Sequence, residues 1–272
     1  MRPLLSICIP TFQHAAFIAQ TLDGCLAQQT EFEIEIVVGD DGSTDEAPQL
    51  IKEYAERFPD QIRAYLHPAN LGPKNPKELG GKNNVIFLLS QCRGNYIAFC
   101  EGDDYWTHPL KLQRQVDFLE RHSDFALTHH QTEVIYEDKS PSHWFNPAQQ
   151  APVTTIVDLF SDVWYVATCS AVFRNVYQEG LPDWFLDTGS GDLGIFLLAA
   201  HHGKIRYFED PMAVYRRHRG GLSNFQHLQN RFFVENRMKL YQDVNAYFGG
   251  IYEKDIQDTV QKYQQLLLNF TL

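Results

Sequence analysis

The alternation of short apolar runs with amphipathic stretches predicts an α/β protein, a largely parallel sheet with helices on both faces, followed by a helical extension. Three observations carry this. Strand-like and helix-like segments take turns through the first half of the chain. Polar clusters follow the strand-like runs, at the carboxyl ends where sheets of this kind bind ligands. From Phe225 onward the pattern is helical, broken only at Gly249-Gly250.

Leu4–Ile9 is short, apolar and rich in Ile, and Pro10 stops it as a strand. Ala15–Gln28 places Ile18, Leu22, Cys25 and Leu26 at helical spacing. Ile34–Gly39 reads as the next buried strand. Glu46–Phe58 reads as a helix behind Ser43 and Thr44, either of which suits an N-cap, with Pro59-Asp60 as its stop. Ile62–Leu66 is a third strand. Lys82–Gln91 aligns Val85, Leu88 and Leu89 before Gly94-Asn95 turns into the strand Tyr96–Cys100. Pro109 opens a helix to about Arg121, with Leu112, Val116 and Leu119 inward. Phe125–Tyr136 alternates as a strand, and Ser140–Pro152, holding three prolines, reads as a loop. Val166–Arg174 is predicted as a strand and Leu193–His201 as a helix. Ile205–Phe208 and Met212–Arg217 read as two strands around Glu209-Asp210-Pro211. Helices from Phe225 to about Phe248 and from Ile251 to about Asn269 close the chain. The expected division is 1–221 for the α/β domain and 222–272 for the helical extension.

With 272 residues the chain can bury a substantial core, and its 44% apolar and 13% aromatic content exclude a disordered protein. A formal charge of −11 argues against non-specific nucleic-acid binding, but not against a phosphorylated small molecule whose charge a metal ion neutralises. Five cysteines (Cys8, Cys25, Cys92, Cys100 and Cys169) lack metal-ligand spacing and read as reduced core thiols. Met1-Arg2-Pro3 leads into a strand without signal-peptide architecture, and no apolar run approaches the roughly 20 residues that span a bilayer. A cytoplasmic protein is expected, with peripheral contact at the inner face of the membrane left open. The apolar stripe Ile256, Val260, Tyr263 and Leu267 leaves open packing on the domain, a homodimer or a membrane contact.

The densest chemical signal follows the strand Tyr96–Cys100: Glu101-Gly102-Asp103-Asp104-Tyr105-Trp106. Carboxylates this close repel, and a fold tolerates them best with a cation between them. Hard oxygen ligands suit Mg²⁺ or Mn²⁺, ions that in turn hold phosphate oxygens. Asp40-Asp41-Gly42-Ser43-Thr44-Asp45 is a second strand end, combining a glycine turn with acids that can serve as capping groups or as hydrogen-bond acceptors for a ligand.

These blocks occur in a familiar order. Ser6-Ile7-Cys8-Ile9-Pro10-Thr11-Phe12, Val37-Val38-Gly39 with Asp40 to Asp45, Asn70-Leu71-Gly72, and Gly94 to Phe99 leading into Glu101-Gly102-Asp103-Asp104 together resemble family 2 glycosyltransferases with the GT-A fold, a Rossmann-like mixed sheet flanked by helices. The match runs through roughly the first 120 residues and extends more weakly to about residue 223. The resemblance implies a nucleotide-sugar half at about 1–106 and an acceptor half at about 107–221. It implies that Pro10, Thr11 and Phe12 flank the base, that Asp40 or Asp41 contacts uracil or ribose, and that Lys82 lies near the nucleotide. Glu101-Gly102-Asp103 stands where the family carries D-x-D, with Asp103 the principal metal ligand. Glu replaces the more usual first Asp, and its longer side chain would reach the ribose or a metal-bound water.

Asp192, in Gly189-Ser190-Gly191-Asp192, stands at the family's catalytic-base position, where Glu-Asp is common; taken alone it reads as a helix cap. His218, in the basic run Arg216-Arg217-His218-Arg219, is implied to reach the metal or pyrophosphate. Asp104, Trp106, Trp184 and Arg216 are candidates for contacts to donor or acceptor sugar. The implied activity is inverting, Mn²⁺- or Mg²⁺-dependent transfer from a nucleotide-diphosphate sugar, a UDP-sugar foremost, to a saccharide or lipid-linked acceptor in bacterial surface-polysaccharide synthesis. Two other readings stand beside it. A sugar-1-phosphate nucleotidyltransferase needs a glycine-rich loop with an Arg after the first strand, which Pro10-Thr11-Phe12-Gln13-His14 does not offer. A nucleotide-sugar-binding protein without catalysis would have less use for Asp103, Asp192 and His218 together.

Overall fold

The computed structural model describes residues 2–72, 81–189, 191–221 and 230–270. The strands in chain order are β1 (Leu5–Thr11), β2 (Ile34–Asp40), β3 (Ile62–Leu66), β4 (Tyr96–Phe99), β5 (Tyr105–Trp106), β6 (Phe125–Tyr136), β7 (His143–Trp144), β8 (Val153–Thr154), β9 (Val172–Arg174) and β10 (Lys204–Arg217). The helices are α1 (Ile18–Leu26), α2 (Ala47–Arg57), α3 (Lys82–Gln91), α4 (Lys111–Arg121), α5 (Ile156–Leu159), α6 (Gly191–Ala200), α7 (Arg231–Tyr247) and α8 (Glu253–Asn269). The strands form one mixed sheet in the order β3-β2-β1-β4-β9-β6-β10-β5, with β7 against β6 and β8 against β10.

Strand periodicity explains the two-sided core. Along β1, Ile7 and Ile9 face α1, α2 and α4 in one apolar cluster, while Cys8 faces α3, α6, α7 and α8 in the other. Val234, Leu240 and Val244 of α7 and Ile256 and Tyr263 of α8 share that second cluster with Phe99 and Phe173 of the sheet. The predicted stripe on the last helix therefore packs on the body of the protein. The segment 222–229, where the sequence predicts the start of α7, lies outside the described residues. No helix among the described residues is long and apolar enough to cross a membrane.

Four local expectations are corrected. Val166–Arg174 is not one strand, because Thr168–Ser170 forms a 3-10 turn before β9. The segment Ser140–Pro152 contains β7, which pairs with β6 through Glu133 opposite Trp144. The two strands predicted around Pro211 are one strand, β10, whose register against β6 shifts between Phe208 and Ala213. A proline tolerated only where ladder bonding is interrupted marks that irregularity. Finally, neither Ser43 nor Thr44 caps α2: the N-cap position is Glu46, with no side-chain cap bond.

Strand β2 also buries a charge. Glu35 accepts hydrogen bonds from Ser6 Oγ (2.6 Å), the Arg93 backbone N–H (2.7 Å) and the guanidinium groups of Arg93 and Arg63. Burial pushes its carboxyl up, but these donors together hold it below the usual range. A depressed carboxyl stabilises the fold above its unfolded pKa of about 4.3, and that stabilisation is lost as pH falls. Glu35→Gln is therefore expected to lower stability at pH 7 by about 2–3 kcal/mol, the scale of hydrogen bonds to a charged group. The gap from the parent should narrow as thermal unfolding is repeated at pH values falling through about 4.

Candidate active site

The strand directions bring the polar ends to one edge. Strands β1, β2, β3 and β4 run parallel, and β9 runs antiparallel to both β4 and β6, so β6 and its parallel neighbour β10 point the same way as β1. Between β1 and β4 the order of strands reverses, which opens the crevice where α/β sheets bind ligands. The helix α6 enters the opposite end of β10 through the short turn His201–Gly203. Its N-terminus, carrying Asp192, therefore returns to the same edge as His218.

Two loops at this edge are buckled together by Gln13. Its backbone N–H donates to Ser43 Oγ (2.8 Å), its side-chain amide donates to Thr44 Oγ1 (2.8 Å), and its amide oxygen accepts from the N–H groups of Thr44 and Asp45. Gln13 holds a left-handed φ of 58°, a conformation that this web of bonds stabilises. Asp40 is spent inside its own turn, accepting from the backbone N–H and hydroxyl of Ser43. Asp41 accepts from the Leu71 N–H (2.7 Å), while its other carboxylate oxygen is buried without a hydrogen-bond partner among the described residues. Burial raises the Asp41 carboxyl above its ordinary value. Of the two acids, Asp41 keeps a carboxylate oxygen with no hydrogen-bond partner among the described residues, while Asp40 also fixes its own turn. Pro10 and Thr11 end β1, Thr11 Oγ1 is buried without a hydrogen-bond partner among the described residues, and Phe12 beyond them is exposed.

Lys82 is buried, and its ammonium donates to the carbonyls of Leu186 and Thr188 (2.9 Å). It thus ties the start of α3 to the segment that precedes Asp192. Its neighbours Asn83 and Asn84 donate to Leu71 O (3.0 Å) and Gly39 O (2.7 Å), fixing α3 against the ends of β2 and the following loop.

Gly102 N–H donates to Pro10 O (3.0 Å), pressing the acidic turn onto the end of β1. A Cβ on Gly102 would lie 2.3 Å from Thr11 Oγ1 and 3.0 Å from His14 Nδ1, so the approach requires glycine. Asp103 Oδ2 consequently stands 3.0 Å from His218 Nε2 and 3.6 Å from His14 Nε2. One ligand atom from each of these three residues falls within 4.8 Å of the others. Burial pushes the Asp103 carboxyl up, but the hydrogen bond from His218 and the nearby imidazoles bring it below its ordinary value. His14 is lowered, chiefly by burial, which favours the neutral ring. Two ring nitrogens and a carboxylate, all partly buried and convergent, fit a divalent cation.

Glu101 sits behind this group. Burial first, and then the charges of Asp103 and Asp192, push its carboxyl up to about 8. Burial and the neighbouring carboxylates thus disfavour its charged form in the crowded turn. Asp192 lies exposed in the first turn of α6, with Oδ1 accepting from the Leu193 N–H (2.8 Å). It is inside the helix, not the cap residue.

Three of the sugar-contact candidates are engaged within the protein. Trp106 is 4% exposed, its indole N–H donates to Cys169 O (2.8 Å), and the Lys111 ammonium lies 4.2 Å from its ring centroid. It is a core residue. Asp104 is buried and accepts from the Arg216 backbone N–H (2.8 Å), and burial pushes its carboxyl well above the usual range. Arg216 donates to the carbonyl of Asp103 and to Gln20 Oε1, with Phe17 and Tyr105 rings flanking its guanidinium. It braces the acidic turn. Trp184, in the 3-10 turn Asp183–Asp187, packs on Phe185 and Tyr247. His14 and Gln13 were not singled out as site residues, although both directly follow the Pro10-Thr11-Phe12 strand end.

The sheet, the switch point and the acidic turn define a GT-A fold. The family model described as Glycosyl transferase family 2 matches residues 6–181, and the chain belongs to that family. An uncharacterized protein of Mycobacterium tuberculosis is 36% identical over 233 residues, covering 86% of this chain and 64% of the relative. An uncharacterized glycosyltransferase of Nostoc is 28% identical over 222 residues, covering 79% and 65%. The chain thus spans slightly less than two thirds of the length of these relatives. Among solved structures, S. aureus TarS in complex with UDP-GlcNAc aligns over 98% of this chain and 71% of its own, with TM-score 0.63 and 18% identity. The mannosyltransferase PcManGT of Pyrobaculum calidifontis, in complex with GDP-Man and Mn²⁺, aligns over 98% and 72%, with TM-score 0.60 and 16% identity.

Proposed function

We propose that the chain is an inverting glycosyltransferase that moves a sugar from a nucleotide-diphosphate donor, a UDP-sugar, to a saccharide or lipid-linked saccharide acceptor. The observation that carries the reading is the convergence of His14, Asp103 and His218 at the β1/β4 switch point, on the edge that also bears Asp192. The structural neighbours solved with UDP-GlcNAc and with GDP-Man and Mn²⁺ support the donor class. The place of such transfer is the cytoplasm or the inner face of the membrane, in surface-polysaccharide synthesis.

In this reading Asp41 offers its unengaged carboxylate oxygen to the base, with Pro10 to Phe12 alongside. Glu101 offers its carboxyl to a ribose hydroxyl. Asp103 and His218 hold Mn²⁺ or Mg²⁺, which when bound neutralises the charge of the departing diphosphate. Asp192 takes the proton of the acceptor hydroxyl as that oxygen forms its bond to the anomeric carbon. The bond to the diphosphate breaks on the opposite face, and the configuration inverts.

UDP binding measured by calorimetry tests the reading. In Mn²⁺ the parent should bind UDP at least about tenfold more tightly than in EDTA, a difference of about 1.4 kcal/mol. Asp103→Asn should erase that gain. Equal UDP affinity in Mn²⁺ and EDTA would remove the cation from the proposal.

A further inference from the structure

Building on the cation site of the preceding reading, we propose that His14 is a direct third ligand, so that two imidazoles and one carboxylate hold the ion. The site thereby selects first-row transition ions such as Mn²⁺ and Co²⁺ over Mg²⁺ and Ca²⁺. The geometry comes first. Neighbouring ligands of a six-coordinate ion at about 2.1 Å stand roughly 3 Å apart. His218 Nε2 meets that spacing to Asp103 Oδ2 at 3.0 Å, and His14 Nε2 is a few tenths of an ångström outside it at 3.6 Å. The two rings face each other edge to face at 5.7 Å, with Phe17 beside both. Their ring nitrogens therefore reach the same carboxylate oxygen from two sides.

The placement of His14 is also fixed before any ligand arrives. On one side Gln13 is pinned to the Ser43–Asp45 loop. On the other, the His14 carbonyl accepts from the N–H groups of Phe17 and Ile18 at the start of α1, and the Ala15 N–H donates to Asp45. His14 Nδ1 is buried against Gly102 and has no hydrogen-bond partner among the described residues. A ring held this rigidly, with its other nitrogen turned toward a carboxylate and a second imidazole, has the arrangement of a ligand.

The donor chemistry sets the selectivity. Mg²⁺ favours oxygen donors and near-ideal octahedral geometry, whereas imidazole nitrogen suits transition ions, whose affinity rises from Mn²⁺ to Co²⁺. A site of carboxylates alone discriminates little between Mg²⁺ and Mn²⁺. Replacing two oxygens by ring nitrogens shifts the preference toward the transition ions.

Electron spin-echo spectroscopy of Mn²⁺ bound to the full chain reads the ligands directly. The parent is expected to show nitrogen couplings from two imidazoles, and His14→Gln from one. Mn²⁺ affinity, titrated in the same samples, should fall about tenfold or more in His14→Gln, while Mg²⁺ affinity changes far less. A single-imidazole signal in the parent, or equal Mn²⁺ affinity in parent and His14→Gln, would overturn the assignment of His14. Asp103→Asn separates that failure from a failure of the site itself. If Asp103→Asn loses Mn²⁺ while His14→Gln keeps it, the cation reading stands without His14. If Asp103→Asn also binds Mn²⁺ normally, both fall.

Discussion

Asp192→Asn should fold, bind UDP with unchanged affinity and lose about 10² to 10⁴ in transfer rate, the usual contribution of a general base. Asn preserves the size of the side chain and its ability to accept from the Leu193 N–H, so the first turn of α6 keeps its local bond. What it removes is the carboxylate. An amide oxygen takes no proton at neutral pH, and burial pushes the neighbouring Glu101 carboxyl toward its protonated form. Melting temperature and turnover with the acceptor, measured on one preparation, decide the matter. Turnover near the parent's rate would take Asp192 out of the mechanism.

Gly42→Ala is expected to be the most damaging small substitution at the edge, costing about 3 kcal/mol and lowering the melting temperature by about 10 °C. Gly42 has φ +72°, and a Cβ there would lie 2.3 Å from the carbonyl carbon of Ala69 and 2.4 Å from Asn70 N. Both are backbone atoms that cannot rotate aside. Gly249 has the same φ of +72° with nothing within 4 Å of an added Cβ, so Gly249→Ala carries the conformational penalty alone. The difference between the two variants in thermal unfolding isolates the cost of displacing the Asn70-Leu71-Gly72 loop. Equal losses would mean that the loop yields without penalty.

The parallel half of the sheet was legible because its strands are continuous apolar runs bounded by turn residues, and β1 to β4 were placed with boundaries within two residues. The second half was less so. Glu209-Asp210-Pro211 looks like a connection, yet the ladder resumes beyond it, and only the partner strand β6 reveals that β10 is continuous. At the site, Asp103, His218 and Asp192 were named from motif order. What the motif order does not convey is which way a side chain points. Trp106 follows the acids by two residues, but strand β5 turns it into the core. Arg216 stands in a basic run, and its aromatic neighbours and the Asp103 carbonyl fold it back under the turn. His14 escaped attention because its partners are distant in sequence, and a lone histidine after a strand end carries no spacing signal.

The register shift in β10 bears on how this edge is adjusted. Between Phe208 and Ala213 four residues of β10 stand opposite the single residue Gln131 of β6, after which pairing continues to Arg217. Each pair of residues added to or taken from that slack would slide the end of the strand by roughly 6.6 Å with its side chains on the same faces, whereas a single residue would turn them over. His218 would move relative to Asp103 while the ladder below, which is shared with the core, stays where it is. The irregularity is a vernier: it allows the spacing between a loop-borne imidazole and a turn-borne carboxylate to be retuned in coarse steps, without recutting the sheet on which both are mounted.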